Sequence, residues 1–199
     1  MRNLMLCGWL LVPIGAWAYH EGPGQDGLAR DRVADTLQQA FDAATHGDHA
    51  GAVKFYEAAL DELPDGDLHT ARHILLELSK SRMQDHGLPT ARAELAGLVE
   101  ELDGAAAAGS DEADPELLAE AREALANAQY YTTWLMRLEG LPRERWEPEI
   151  EAARQNYRLL AERAGDETAV ARHQSDLESA VKLARLELED LQGLPLPSE

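Results

Sequence analysis

An all-α protein, a stack of antiparallel helical hairpins ending in a C-terminal capping helix, is what this sequence predicts. Three observations carry that prediction. Apolar residues recur at helical spacing in seven segments, with no convincing strand-period alternation between them. Glycine, proline and aspartate separate the segments at short intervals, and short links bring consecutive helices back antiparallel. One face, mixing small and large side chains, returns in related form at Ala52, Ala91 and Ala153.

The chain begins with a segment that reads as a secretory signal peptide over residues 1–18. Arg2 is the positive start, Leu4 to Ile14 is an apolar run, and Ala16-Trp17-Ala18 is a small-x-small cleavage site. The run is short of the roughly 20 residues that a membrane span needs. Cleavage would remove Cys7, the only cysteine, so no disulfide would hold the mature fold. It would also remove Arg2 and move the net charge from -19 to -20. Such a surface repels nucleic acid and anionic lipid, and suits a basic protein surface or divalent cations instead. The basic residues are mostly arginine and alanine is abundant. With the leader, this points to export into a bacterial periplasm, with no membrane association after cleavage.

Residues 19–30, with three glycines and a proline, are expected to be a flexible N-terminus. A helix over about 31–45 then turns Val33, Leu37, Ala40, Phe41 and Ala44 inward. His46-Gly47-Asp48 links it to a partner whose inner face is Ala52, Tyr56, Ala59, Leu60 and Leu63, stopped by Pro64. The next helix covers about 68–85. Thr90 is the expected N-cap of the one after it, whose face is Ala91, Leu95, Leu98, Val99 and Leu102. That set repeats the face beginning at Ala52 with a shift of 39 residues. Two hairpins thus occupy residues 31–103.

Residues 104–114, an alanine-glycine run followed by acidic residues, are expected to be a flexible loop dividing the chain. Asp114 and Pro115 are suited to start the long helix 115–139, with Leu118, Ala121, Leu125, Ala128, Thr132, Leu135 and Leu138 near one face. Trp146 and Pro148 begin a helix to about Ala164 carrying Ala153, Tyr157, Leu160, Ala161 and Ala164. A final helix over 167–192, with Val170, Leu177, Val181, Ala184, Leu188 and Leu191 as its stripe, would cover the end of the stack. Residues 115–192 are therefore a divergent hairpin plus cap, and 193–199 a tail.

The order Gly47-Asp48, Ala52, Tyr56, Ala59, Pro64 resembles the second helix of a tetratricopeptide repeat, whose unit is about 34 residues. One departure lies upstream, where the family spacing puts polar Gln39 at a large apolar position and the apolar face sits one residue off. The resemblance implies an α-α superhelix that binds a protein or peptide on its concave face, lined by the first helix of each hairpin. Carried over by position, this implies His73, Leu76, Lys80, Met83 and Gln84 in the second hairpin. In the first it implies Asp35, Gln38, Asp42 and Thr45.

Other chemistry has less to stand on. His69 and His73 are four apart, with Glu77 a turn further on, so they are the place to look for a metal. They lack the H-E-x-x-H glutamate, and zinc takes three or four protein ligands, so no metal is expected. Tyr130, Trp134 and Trp146 form an aromatic patch that would serve either a ligand pocket or interhelical packing, the latter favoured. The chain has no phosphate-binding glycine loop and no G-x-S-x-G. A non-enzymatic, cofactor-free adaptor is expected, with a periplasmic small-ligand or metal-binding protein as the alternative.

Overall fold

A computed structural model describes residues 23–110, 113–187 and 191. The signal-peptide reading and the tail 193–199 lie outside the described residues. Among those described there are seven helices and no strand. They are α1 (Pro23–Thr45), α2 (His49–Glu62), α3 (Leu68–Gln84), α4 (Leu88–Ala107), α5 (Pro115–Leu138), α6 (Arg143–Arg163) and α7 (Glu167–Arg185). The chain divides into two compact units, one up to Ile74 and one from Leu75, with the boundary inside α3.

In the first unit α1 packs along α2. Gly47 takes φ +79°, a left-handed conformation that glycine adopts without steric cost, and so lets the chain reverse in three residues. Asp48 then caps α2, accepting from the Gly51 N–H at 2.9 Å. A Cβ at Gly51 would lie 2.3 Å from the Asp48 carboxylate, so this close cap depends on glycine there. Ala52, Tyr56 and Ala59 are buried as their spacing predicts. On α1, Val33 and Ala40 are buried, but Phe41 is 61% exposed. The small Ala40, one residue beyond Gln39, occupies the inward position, and this rotates the phenyl ring outward. The helix also begins at Pro23, so residues 23–30 are helical and not the expected flexible terminus.

In the second unit the end of α3 packs with α4, α4 with α5, α5 with α6 and α6 with α7. One apolar cluster joins Leu76, Leu95, Leu98, Val99 and Leu102 to Leu117, Leu118, Ala121, Leu125 and Ala128. A second joins Tyr130, Trp146, Ile150, Ala153, Tyr157, Leu160, Ala180 and Leu183, with Leu191 also buried in it. Helix α5 belongs to both, which explains why it is buried nearly all round in its middle turns.

Four further boundaries differ from the sequence expectation. Helix α4 runs to Ala107, because alanine is the best helix former and the run favours continuation. Gly109, at φ +63°, ends it while Ser110 N–H returns to the Ala105 carbonyl at 3.1 Å. Its start lies at Leu88, with Gly87 as N-cap and not Thr90, because Pro89 fits the first turn. Helix α6 starts at Arg143, ahead of Trp146, leaving Pro148 inside it. Helix α7 stops at Arg185, short of residue 192. There Arg137 of α5 donates to the carbonyls of Leu183 and Leu186, satisfying acceptors that another helical turn would have used. Leu135 and Leu138, expected on an inner face, are 43% and 40% exposed. They lie at the end of α5, beyond the turns that carry its two-sided burial.

Candidate functional site

Three groups of side chains compete for the functional role. The first is the surface carried over from the family resemblance. On α1, Asp35, Gln38 and Asp42 are exposed one turn apart, and Gln38 donates to the Asp42 carboxylate at 3.0 Å. On α3, His73 and Gln84 are exposed, and Lys80 lies 2.7 Å from Glu77 and 3.7 Å from Glu120. Leu76 does not belong to this surface. It is 1% exposed in the core of the second unit, because α3 turns that side toward α4 and α5. Met83 is half-buried against the same core.

The aromatic patch is largely packing. Tyr130 and Trp146 are buried in the second core cluster, and Trp134 is partly buried against it. Tyr130 meets Tyr131 edge to face at 5.8 Å. The Arg137 guanidinium lies 4.8 Å from the Trp146 ring centre, with Arg143 at 6.0 Å, so this indole is engaged by two cations. Burial lifts the Tyr130 hydroxyl pKa from 10.0 to about 12. On α3, His69 and His73 are exposed with ring centres 4.6 Å apart, which brings the two candidate metal ligands together.

The third group was not anticipated, and it lies on the inner face of α7. His173, Asp176 and Ser179 are buried there, whereas Leu177 and Val181 of the expected stripe are only half-buried. The His173 imidazole is 5% exposed, its Nδ1 lies 4.0 Å from Asp176, and that nitrogen has no hydrogen-bond partner among the described residues. Across from it, the Tyr157 hydroxyl donates to Asn127 Oδ1 at 2.7 Å. Burial, and then the charge of Asp176, push the Tyr157 pKa far up, so this phenol stays protonated and works as a donor. Further hydrogen bonds lace the helices together. Arg122 donates to Asp103 at 2.5 Å and to Asn156 at 3.3 Å, and Asn156 donates to Gln129 at 3.0 Å. Arg92 pairs with Glu149, which holds its guanidinium pKa above the ordinary value.

That network ties α4, α5 and α6 into one body, and its groups are mostly spent on each other. The cluster therefore fits a role in specifying helix register more closely than one in binding a solvent-borne ligand. A sequence signal existed: at helical spacing His173, Asp176, Ala180 and Leu183 share a face. Apolarity alone could not select it over the neighbouring stripe. None of the described helices is long and apolar enough to cross a membrane. No protein-family model matches the sequence, and neither does any curated protein or solved structure.

Proposed function

We propose that this protein is an exported, periplasmic interaction scaffold of tetratricopeptide type, which binds a protein or peptide partner on helical surface and carries out no reaction itself. The observation that supports the reading most is the placing of its exposed apolar side chains. Phe41, Leu68, Leu135 and Leu138 are large, apolar and exposed on helices whose opposite sides are packed. The titratable side chains on the inner face of α7, by contrast, are buried against the neighbouring helix. Side chains of this kind contribute to affinity when a partner covers them, since apolar burial is the main favourable contribution to association.

The test is affinity capture from periplasmic extract, with the intact chain as bait and Phe41→Ser and Leu135→Ser/Leu138→Ser variants beside it. A partner retained by the parent and lost by one of the variants supports the scaffold reading. Identical capture profiles for all three baits count against it.

A second reading, metal binding at α3, rests on the 4.6 Å approach of the exposed His69 and His73 rings. Thermal shift with zinc separates the two, because a ligand that binds only the native state raises the melting temperature. A shift abolished by His69→Ala/His73→Ala favours the metal reading.

A further inference from the structure

The outward face of α1 sets the most exposed of the apolar side chains described above on the same helix as a line of exposed carboxylates. Phe41 is the most exposed of them at 61%. A lone exposed apolar residue is ordinary on a protein surface. What sets this one apart is its border. At 100° per residue, the side of α1 opposite buried Val33 and Ala40 carries Asp31, Asp35 and Asp42, all exposed, with Phe41 along its edge.

One cation, Arg32, flanks the three carboxylates on the side away from Phe41, so the face keeps an excess of negative charge, and Arg30 lends its charge to Asp67, beyond α2. The local polar groups are also settled in a way that leaves the carboxylates available. The Thr45 hydroxyl donates back to the Phe41 carbonyl at 2.8 Å, and Gln38 holds one oxygen of Asp42.

We infer that this face is a docking surface for a basic amphipathic segment of a protein partner, whose apolar side chains cover Phe41 while its lysines or arginines meet Asp31, Asp35 and Asp42. The inference rests on the scaffold reading and adds to it a place and a chemistry. The chain's net charge of -19 draws a cationic segment in from a distance. The ring then offers contact to aliphatic stems and a favourable face to a guanidinium.

The experiment is an NMR titration of the ¹⁵N-labelled full chain with a synthetic leucine-lysine amphipathic peptide. The parent is compared with Phe41→Ser and with Asp35→Asn/Asp42→Asn, each checked by circular dichroism for unchanged helicity. Supporting results are amide shifts concentrated in residues 31–45 and binding weakened about tenfold in each variant, roughly the loss of one good contact. Binding should also weaken as salt rises from 50 to 200 mM, by about tenfold on the same scale.

Equal binding by the Phe41→Ser variant would mean general Coulombic attraction and would overturn the inference. So would equal binding of a serine-lysine peptide of the same charge. Shifts confined to the α5 end would overturn this assignment while leaving the scaffold reading in place. A failure of the peptide to bind anywhere overturns the inference alone, because partner capture tests the scaffold reading independently.

Discussion

Helices α2 and α7 each bury one face, but they bury opposite kinds of face. Helix α2 turns in Ala52, Tyr56 and Ala59, and α7 turns in His173, Asp176 and Ser179 beside Ala180 and Leu183. In the first case the pattern of side-chain size is enough, since small residues let α1 approach and the tyrosine fills the remaining space. In the second, polar groups are buried and have to be satisfied by what they meet. A buried polar interface is less forgiving than an apolar one, because each unmatched donor or acceptor costs its full desolvation. The second unit is therefore expected to be the more specific and the more sensitive to small chemical changes.

The largest expected effect tests which residues are inside. Leu76→Ala should destabilise the second unit by about 3 kcal/mol, within the range for buried leucine truncation. Phe41→Ala should leave the first unit unchanged to about 0.5 kcal/mol, as exposed substitutions do. Urea unfolding followed by circular dichroism checks both, with amide exchange of α2 and α4 reporting the two units separately. A costly Phe41 change and a harmless Leu76 change would reverse the assignment.

Those two residues also show how far the sequence could be read. Helix number, the shared face at Ala52, Ala91 and Ala153, and the Asp114 cap were legible because periodicity and capping act locally. The side Leu76 takes was not, because α3 carries apolar residues at Ile74, Leu75, Leu76 and Leu78, and only its packing partners decide among them. Phe41 was misplaced for a related reason: the inward place belongs to Ala40, and an alanine is easily passed over in favour of a neighbouring phenylalanine. The α7 face was hidden because histidine and aspartate read as surface residues until Tyr157 and Asn127 are brought alongside. In the candidate site, Asp35, Gln38, Asp42, Lys80 and Gln84 were legible as polar helix positions. The carboxylate border of Phe41 became visible only once the ring was known to point outward.

An alkaline titration probes the second unit by a different route. The Tyr130 hydroxyl titrates at about 12 in the folded protein against an ordinary 10.0. A pKa raised on folding means that the native state holds its proton more tightly, so the related stability is complete below pH 10. It is lost as pH rises from 10 through about 12, a loss of about 2 to 3 kcal/mol for the two-unit difference. Melting temperatures between pH 9 and 11.5 should fall for the parent and fall less steeply for Tyr130→Phe. Identical slopes would show that the buried hydroxyl contributes nothing to the alkaline transition.

A smaller effect is expected from one atom of the polar interface. Tyr157→Phe keeps the ring and removes the donor to Asn127, leaving a buried carbonyl oxygen without it. The expected cost is about 1 to 2 kcal/mol. In a double-mutant cycle with Asn127→Ala, the pair should be coupled by at least about 0.5 kcal/mol, since contacting residues are not additive. Strict additivity would mean that Tyr157 stabilises α6 by packing alone, and the contrast with α2 would lose its chemical basis.

The smallest effect sets the two helices side by side on equal terms. Asp48 caps α2 through one amide, that of Gly51, whereas Asp166 caps α7 through two, those of Thr168 and Ala169, each at 2.9 Å. Both carboxylates are exposed, so each replacement by alanine should cost about 1 kcal/mol, the usual value of an N-cap. The loss should be somewhat greater at Asp166, because two amides lose their acceptor. It should also spread further there. Unwinding the first turns of α7 loosens the backbone that presents His173 and Asp176, whereas fraying α2 at Asp48 disturbs only the small Ala52 below it. Amide exchange at Tyr157 and Asn127 in Asp166→Ala, compared with exchange at Tyr56 in Asp48→Ala, measures that difference. Equal and purely local fraying in both variants would mean that the polar face of α7 is held from α5 and α6 alone, independently of how its own helix begins.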